Sequence, residues 1–290
     1  MRKTVLSLAG NFAKLLPDGF KQAIYRHPQF ARSIRQVLNR AAPLGLTEVE
    51  VAAGGLAGAR LYLDLQAEKY YWLGTYEPEL QTAVADFVQS GDVVYDVGAN
   101  IGFVTLLFAR AVMERGRVYA FEPLPENQDR LRRNLELNRV QDWVEPVAAA
   151  VVDRQQVVEF LTGPSHKMGK VQGSAGHENM PYGAPIRVEG ISLDEFAAET
   201  GRLPPDLIKL DIEGGEVLAL PGMERLLRQV RPLVFLELHG PEAARTAWDT
   251  FSQAGYRICR MAAGYPEVGS LEQLDWKEYL VASPVQEQAE

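Results

Sequence analysis

Apolar positions in the chain change rhythm twice. Residues 1–43 carry them at helical spacing, with Pro17, Pro28 and Pro43 as breaks. The stretch TEVEVAAGGLAGARLYLDLQ alternates, passes through glycines and alternates again, which predicts a β-hairpin. A helix is predicted from about Pro78 to Val88. From Asp92 onward short apolar runs alternate with helical segments. Strands are predicted at Val93–Val97 and Val118–Phe121, and helices at Phe103–Met113 and Glu126–Asn138. Val144–Val152 and Val157–Thr162 are strand-like. IRVEGISLDEFAAET predicts a strand and a helix, DLIKLDIEG a strand, EVLALPGMERLLRQV a helix and PLVFLELHG a strand. A helix over Glu242–Ala254 and a closing antiparallel pair, YRICRM with EYLVASP, complete the series. Residues 163–185 are glycine-rich and aperiodic, a long loop of the kind that carries function or moves.

Apolar strands alternating with helices predict a mostly parallel sheet covered on both faces. Such sheets bind ligands beyond the carboxyl ends of their strands. That rule puts Asp96, Glu122, Asp211 and His239 near one rim, because each ends or follows a strand run. The expected division is a helical and hairpin extension over residues 1–75 and a catalytic domain over 76–285.

The turn after the first of these strands reads Asp96-Val97-Gly98-Ala99-Asn100-Ile101-Gly102. Its glycines allow a sharp bend, and the helix behind it offers free N–H groups. The spacing is not the G-x-G-x-x-G of dinucleotide sites, and the preceding acid would repel a pyrophosphate. The next strand ends in YAFEP, where Glu122 can accept hydrogen bonds from ribose hydroxyls. A ribose, a cationic tail and no phosphate together fit S-adenosylmethionine. A tight packing turn is the competing explanation of the glycines.

Composition narrows the partners. The net charge of −8 speaks against nucleic acid as the main partner. The single cysteine, Cys259, rules out an internal disulfide, and a cytoplasmic location is expected. No apolar run approaches the ~20 residues of a membrane helix. The N-terminal stretch reads as an amphipathic helix rather than a signal peptide, and contact with a membrane surface through it is a secondary reading.

The motifs YYWLGTYEPELQ, GDVVYDVGANIGFVTLLFAR, VYAFEPLPENQDRLRRNLELN, LIKLDIEGGE and FLELHG, in that order, resemble the FkbM-type methyltransferases. The resemblance covers about residues 70–260. It implies a Rossmann-like methyltransferase fold with a reversed final strand. It also implies methyl transfer from S-adenosylmethionine to a hydroxyl of a sugar, glycan, lipid head group or natural product. The acceptor is then a small molecule or glycan. A nicotinamide-dependent oxidoreductase on a similar sheet, or a non-catalytic protein of the same fold, are the alternatives.

Under this reading Asp96 and Gly98 hold the amino acid end of the cofactor, and Asn100 and Gly102 shape the turn. Glu122, followed by Pro123, binds the ribose, and Ala149–Val151 run near the adenine. Glu77 either reaches the cofactor's amino group or caps the next helix. Asn127, Asn134 and Asn138 match the family pattern, with capping and surface roles as the plainer reading. Lys209 and Asp211 share one side of their strand. His239 is expected to be a neutral base, with Asp211 as its electrostatic partner or as a group that positions the acceptor. Glu213 and Glu216 add acids, so a divalent metal is a secondary reading that is not favoured. His166, Lys167 and His177, in the long loop, are candidates for acceptor contact.

Overall fold

The computed structural model describes residues 44–165, 168–176 and 180–285. The expected N-terminal helices, their surface contact with a membrane, and His166, Lys167 and His177 lie outside the described residues. The chain divides into two compact units with their border at Gln81–Thr82. Among the described residues no helix is long and apolar enough to cross a membrane.

In the first unit, β1 (Leu46–Glu50) and β2 (Arg60–Asp64) form the predicted antiparallel hairpin, with Leu46 opposite Asp64 and Glu50 opposite Arg60. The chain then turns into α1 (Lys69–Leu73), and α2 (Pro78–Phe87) follows. Ala52 N donates to Trp72 O at 2.8 Å, tying the hairpin end to α1. Gly74 is required there, since a Cβ would lie 1.8 Å from the Ala53 carbonyl oxygen.

The second unit continues with β3 (Val93–Val97), α3 (Phe103–Val112), β4 (Arg117–Phe121), α4 (Pro125–Asn138), β5 (Val144–Val147), β6 (Ala150–Val151), β7 (Gln156–Leu161), β8 (Lys170–Val171), β9 (Ile186–Ile191) and α5 (Leu193–Ala198). It closes with β10 (Leu207–Leu210), α6 (Glu216–Ala219), β11 (Leu233–Glu237), α7 (Pro241–Gln253), β12 (Tyr256–Arg260) and β13 (Tyr279–Pro284). Its main sheet has the order β12-β13-β11-β10-β3-β4-β5. The central pairs are parallel, and β13 runs antiparallel to both β11 and β12. The chain leaves β3 towards β4 and β5 on one side and towards β10 and β11 on the other. The switch point therefore falls between β3 and β10, where sheets of this kind open a crevice for ligands.

The sheet is held by a core in which Tyr95, Tyr119, Phe121 and Phe196 make edge-to-face and tilted ring contacts. Most of the residues of α3 are buried, as its nearly unbroken apolar sequence requires. Ser192 starts α5 with a reciprocal capping box to Glu195.

Three expectations needed correction. The strand-like stretch 144–152 breaks after Val147, and β6 joins β9, β7 and β8 in a separate four-stranded sheet. The long loop contains β8, paired antiparallel to β7. The helix after Gly215 is interrupted: a 3₁₀ turn at Leu220–Met223 and a π turn at Leu226–Val230 follow α6. Pro221, which has no N–H to give, lies at the first break.

Candidate active site

The parallel strands end on a common rim. Asp96 is the penultimate residue of β3, Glu122 follows β4, Asp211 follows β10, and Glu237 and His239 end and follow β11.

The turn after β3 is tight for internal reasons. Gly98 has φ +81, and a Cβ on it would lie 1.9 Å from the Asp211 carbonyl oxygen. Gly102 has φ +90, and a Cβ on it would lie 2.6 Å from Leu131 Cδ1. Packing thus explains both glycines. Asn100, also left-handed at φ +50, turns its N–H away from the helix. That N–H donates to Glu122 Oε2 at 2.9 Å. Glu122 Oε1 accepts from Leu124 N, also at 2.9 Å. A single buried carboxylate thereby ties together the loops after β3 and β4. Burial raises the Glu122 carboxyl to about 7, against the lowering effect of the Leu124 N–H, the Asn127 side chain and the Asn100 N–H.

The asparagines of α4 support this frame. Asn134, buried, donates to Ile101 O at 2.7 Å, and Asn138 donates to Asn134 O at 2.7 Å. Gln128 donates to Glu122 O and Val147 O. Pro123 separates Glu122 from Leu124, whose N–H holds the Glu122 carboxylate. Ala149 stands just beyond β5, where its N–H turns back to Val147 O. In the first unit, Glu77 has φ +43 and its carbonyl accepts from Gln81 N at 3.0 Å, so it begins α2.

Asp96 is different from expectation. It is 0% exposed, Thr105 Oγ1 donates to its Oδ2 at 2.6 Å, and Lys209 Nζ lies 3.3 Å from its Oδ1. Lys209 Nζ also donates to Val97 O and Gly98 O at 3.2 and 3.1 Å. Asp96 and Lys209 therefore brace the turn from beneath, and Asp96 has no accessible oxygen for a ligand.

On the other side of the switch point, Asp211, Glu213, Glu216, Glu237 and His239 converge. Lys209 Nζ is 3.5 Å from Asp211 Oδ2, which confirms their shared side of β10. His239 Nδ1 is 3.0 Å from Glu216 Oε1, an oxygen that also accepts from Ile212 N at 3.2 Å. His239 Nε2 faces Glu237 Oε1 at 3.7 Å, and Asp211 Oδ1 and Glu213 Oε2 at 3.9 Å each. Burial alone would lower the imidazole pKa. The Glu216 hydrogen bond and the charges of Glu216, Asp211 and Glu237 outweigh it and raise the value to about 10.

The raised value favours the protonated imidazole near neutral pH. Glu216 is its hydrogen-bonded partner, and Asp211 acts on it through its charge from 3.9 Å. The Asp211 carboxyl is held below its ordinary range: burial opposes ionisation, but the charges of Lys209 and His239 prevail. Burial, then the Asp211 charge, pushes Glu237 up to about 8. Glu237, together with Tyr279, which donates to its Oε2 at 2.6 Å, was missed from sequence. The signal was present for Glu237, since period-2 alternation puts it on the same side of the chain as His239.

A mostly parallel sheet with one reversed strand, bearing its polar groups at the carboxyl ends, defines a Rossmann-like methyltransferase fold. Residues 96–258, more than half of the chain, match the methyltransferase FkbM domain, and the chain belongs to that family. The hexuronic acid methyltransferase AglP of Haloferax volcanii is 29% identical over 164 residues, 56% of this chain and 62% of that protein. The 31-O-demethyl-FK506 methyltransferase FkbM of Streptomyces tacrolimicus is 28% identical over 160 residues, 47% of this chain and 61% of that one. This chain thus spans about three fifths of the length of both relatives. A solved methyltransferase FkbM from Methylobacillus flagellatus KT aligns with TM-score 0.44 at 15% identity, covering 74% of this chain and 55% of that one.

Proposed function

We propose that this protein is an S-adenosylmethionine-dependent O-methyltransferase acting on a hydroxyl of a sugar, glycan or related small molecule. The observation that carries the reading is Glu122. Its carboxylate is buried, accepts the Asn100 and Leu124 N–H groups and a hydrogen bond from the Asn127 side chain, and keeps about one of its four or so lone-pair sites for a further donor. Ribose hydroxyls are donors of the kind this group would take, and the left-handed turn it ties down leads straight into α3. The remaining acceptor site therefore fits a ribose hydroxyl of a nucleoside. S-adenosylmethionine, when bound, would supply an electrophilic methyl group on a sulfonium.

In this reading Glu122 orients the ribose, Gly98, Asn100 and Gly102 give the turn its shape, and Ala149 and Pro123 line the adenine side. Asp96 acts indirectly, by holding the turn through Thr105 and Lys209. The acceptor hydroxyl is received at the cluster after β10 and β11. There Asp211, kept ionised, offers Oδ1 to its proton, and His239 is the cation beside it. The likeness to a hexuronic acid methyltransferase and to an FK506 methyltransferase supports an oxygen acceptor on a sugar or natural product.

The test is incubation with methyl-labelled S-adenosylmethionine and a panel of glycosides, uronic acids and hydroxylated natural products. Label in an ether product of one of them, lost in Asp211→Asn, is the expected result. Label only in nitrogen or carbon positions would contradict the O-methyl reading.

A further inference from the structure

The cluster between β10 and β11 has a feature that proton transfer does not require. Each of three side chains has one polar atom anchored from behind and its other polar atom turned inward. His239 is held at Nδ1 by Glu216, a fully buried acid, and presents Nε2. Glu237 is held at Oε2 by the Tyr279 hydroxyl and presents Oε1. Asp211 is held at Oδ2 by Lys209, and its carboxyl shares a hydrogen bond with that of Glu237, a contact whose proton a cation would replace. The imidazole is 8% exposed, and among the described residues its Nε2 has no partner at hydrogen-bond distance: the carboxylate oxygens around it stand at 3.7–3.9 Å. One donor atom from each of Asp211, Glu237 and His239 lies within 4.8 Å of the others.

From this arrangement we propose that Asp211, Glu237 and His239 form a binding site for one divalent cation, with Glu213 at its edge. Two metal–ligand bonds of about 2.0–2.2 Å span distances of the size seen around Nε2, so one ion can reach both members of each pair. A histidine that donates its other ring nitrogen to a carboxylate is the usual support for a metal-binding imidazole, because that bond fixes the tautomer and the ring plane. The parallel register of β10 and β11, with Leu210 opposite Leu236, brings the ligands level. An imidazole with two carboxylates suits a first-row ion such as Mn²⁺ better than Ca²⁺, which prefers a larger all-oxygen shell. The use of the ion rests on the methyltransferase reading: bound at the acceptor side of the rim, it would lower the pKa of the acceptor hydroxyl and take over the role of the protonated imidazole. Binding of the ion would displace the Nε2 proton to solvent; Asp211, a ligand in that state, would no longer accept the hydroxyl proton, which Glu213, the more exposed acid, would receive instead.

The test uses the full chain after treatment with a chelator and its removal. Mn²⁺ binding is measured by calorimetry and by electron paramagnetic resonance, with circular dichroism to check folding. Binding of S-adenosylhomocysteine is measured on the same samples. The expected result is one Mn²⁺ per chain, with affinity reduced at least tenfold in Asp211→Asn, Glu237→Gln and His239→Ala. Tyr279→Phe, which leaves all ligands in place, should weaken binding by roughly tenfold. Absence of Mn²⁺ binding to the folded protein, or an affinity indifferent to all four substitutions, overturns the site. S-adenosylhomocysteine binding without Mn²⁺ binding overturns the ion site alone. Mn²⁺ binding without S-adenosylhomocysteine binding supports the ion site and overturns the cofactor reading instead.

Discussion

Glu122 is the residue on which the cofactor reading turns. Hydrogen bonds to a charged group are worth about 1.5–3 kcal/mol. Glu122→Ala should therefore weaken S-adenosylhomocysteine binding about tenfold to a hundredfold, at ~1.4 kcal/mol per decade. Unchanged affinity in a folded variant would take Glu122 off the ribose. Its titration adds a second prediction. The folded pKa of about 7 lies above the ordinary value of 4.5, so the native protein keeps a proton that the unfolded chain releases. That group's contribution to stability is fully present below the unfolded value and lost as pH rises through about 7. Ribose hydroxyls need the ionised carboxylate as acceptor. Affinity should thus rise with pH through this range and level off above it, and Glu122→Gln should flatten the profile. A wild-type profile without slope would contradict the assignment.

The limits of the sequence also show at this scale. Glu122 was legible as a rim acid because it directly follows a strand, but its bond to the Asn100 N–H, which joins two loops, was not. Asp96 looked equally accessible, but Thr105 and Lys209 enclose it from α3 and β10, which no local pattern reveals. His239 was legible as a rim residue, whereas its protonation was not. Its charge depends on acids contributed by β10, β11 and the start of α6, and their summed field decides the pKa.

At the scale of elements, the loop between β8 and β9 matters most. Ala175 N donates to Gly214 O at 2.9 Å, so this loop is docked on the turn that carries the acids. Gly214 permits the contact: its φ is +97, and a Cβ would lie 1.9 Å from the Ala175 carbonyl oxygen. Gly214→Ala should lose at least about 1–2 kcal/mol from the left-handed backbone alone. That corresponds to a fall in Tm of about 2–8 °C. It should also raise the acceptor KM while leaving S-adenosylhomocysteine affinity nearly unchanged. An unchanged acceptor KM in the variant would make the loop a passive insertion. The alternation of strands and helices from Asp92 on was readable because apolar period and turn residues agree there. The separate sheet β6-β9-β7-β8 was not, because its pairings join distant short strands whose sequence pattern does not name a partner.

For the molecule as a whole, sheet order and rim chemistry both follow from one switch point. Under the proposed function the ribose side is built from β3, β4 and β5, and the acceptor side from β10 and β11. The glycine turn serves packing directly and is tied to Glu122 through the Asn100 N–H. Calorimetry of the full chain with S-adenosylmethionine, S-adenosylhomocysteine and NAD, each titrated separately, tests the central claim most directly. The first two should bind at one site per chain and NAD should give no heat of binding. Tight NAD binding with no response to the other two would contradict the account.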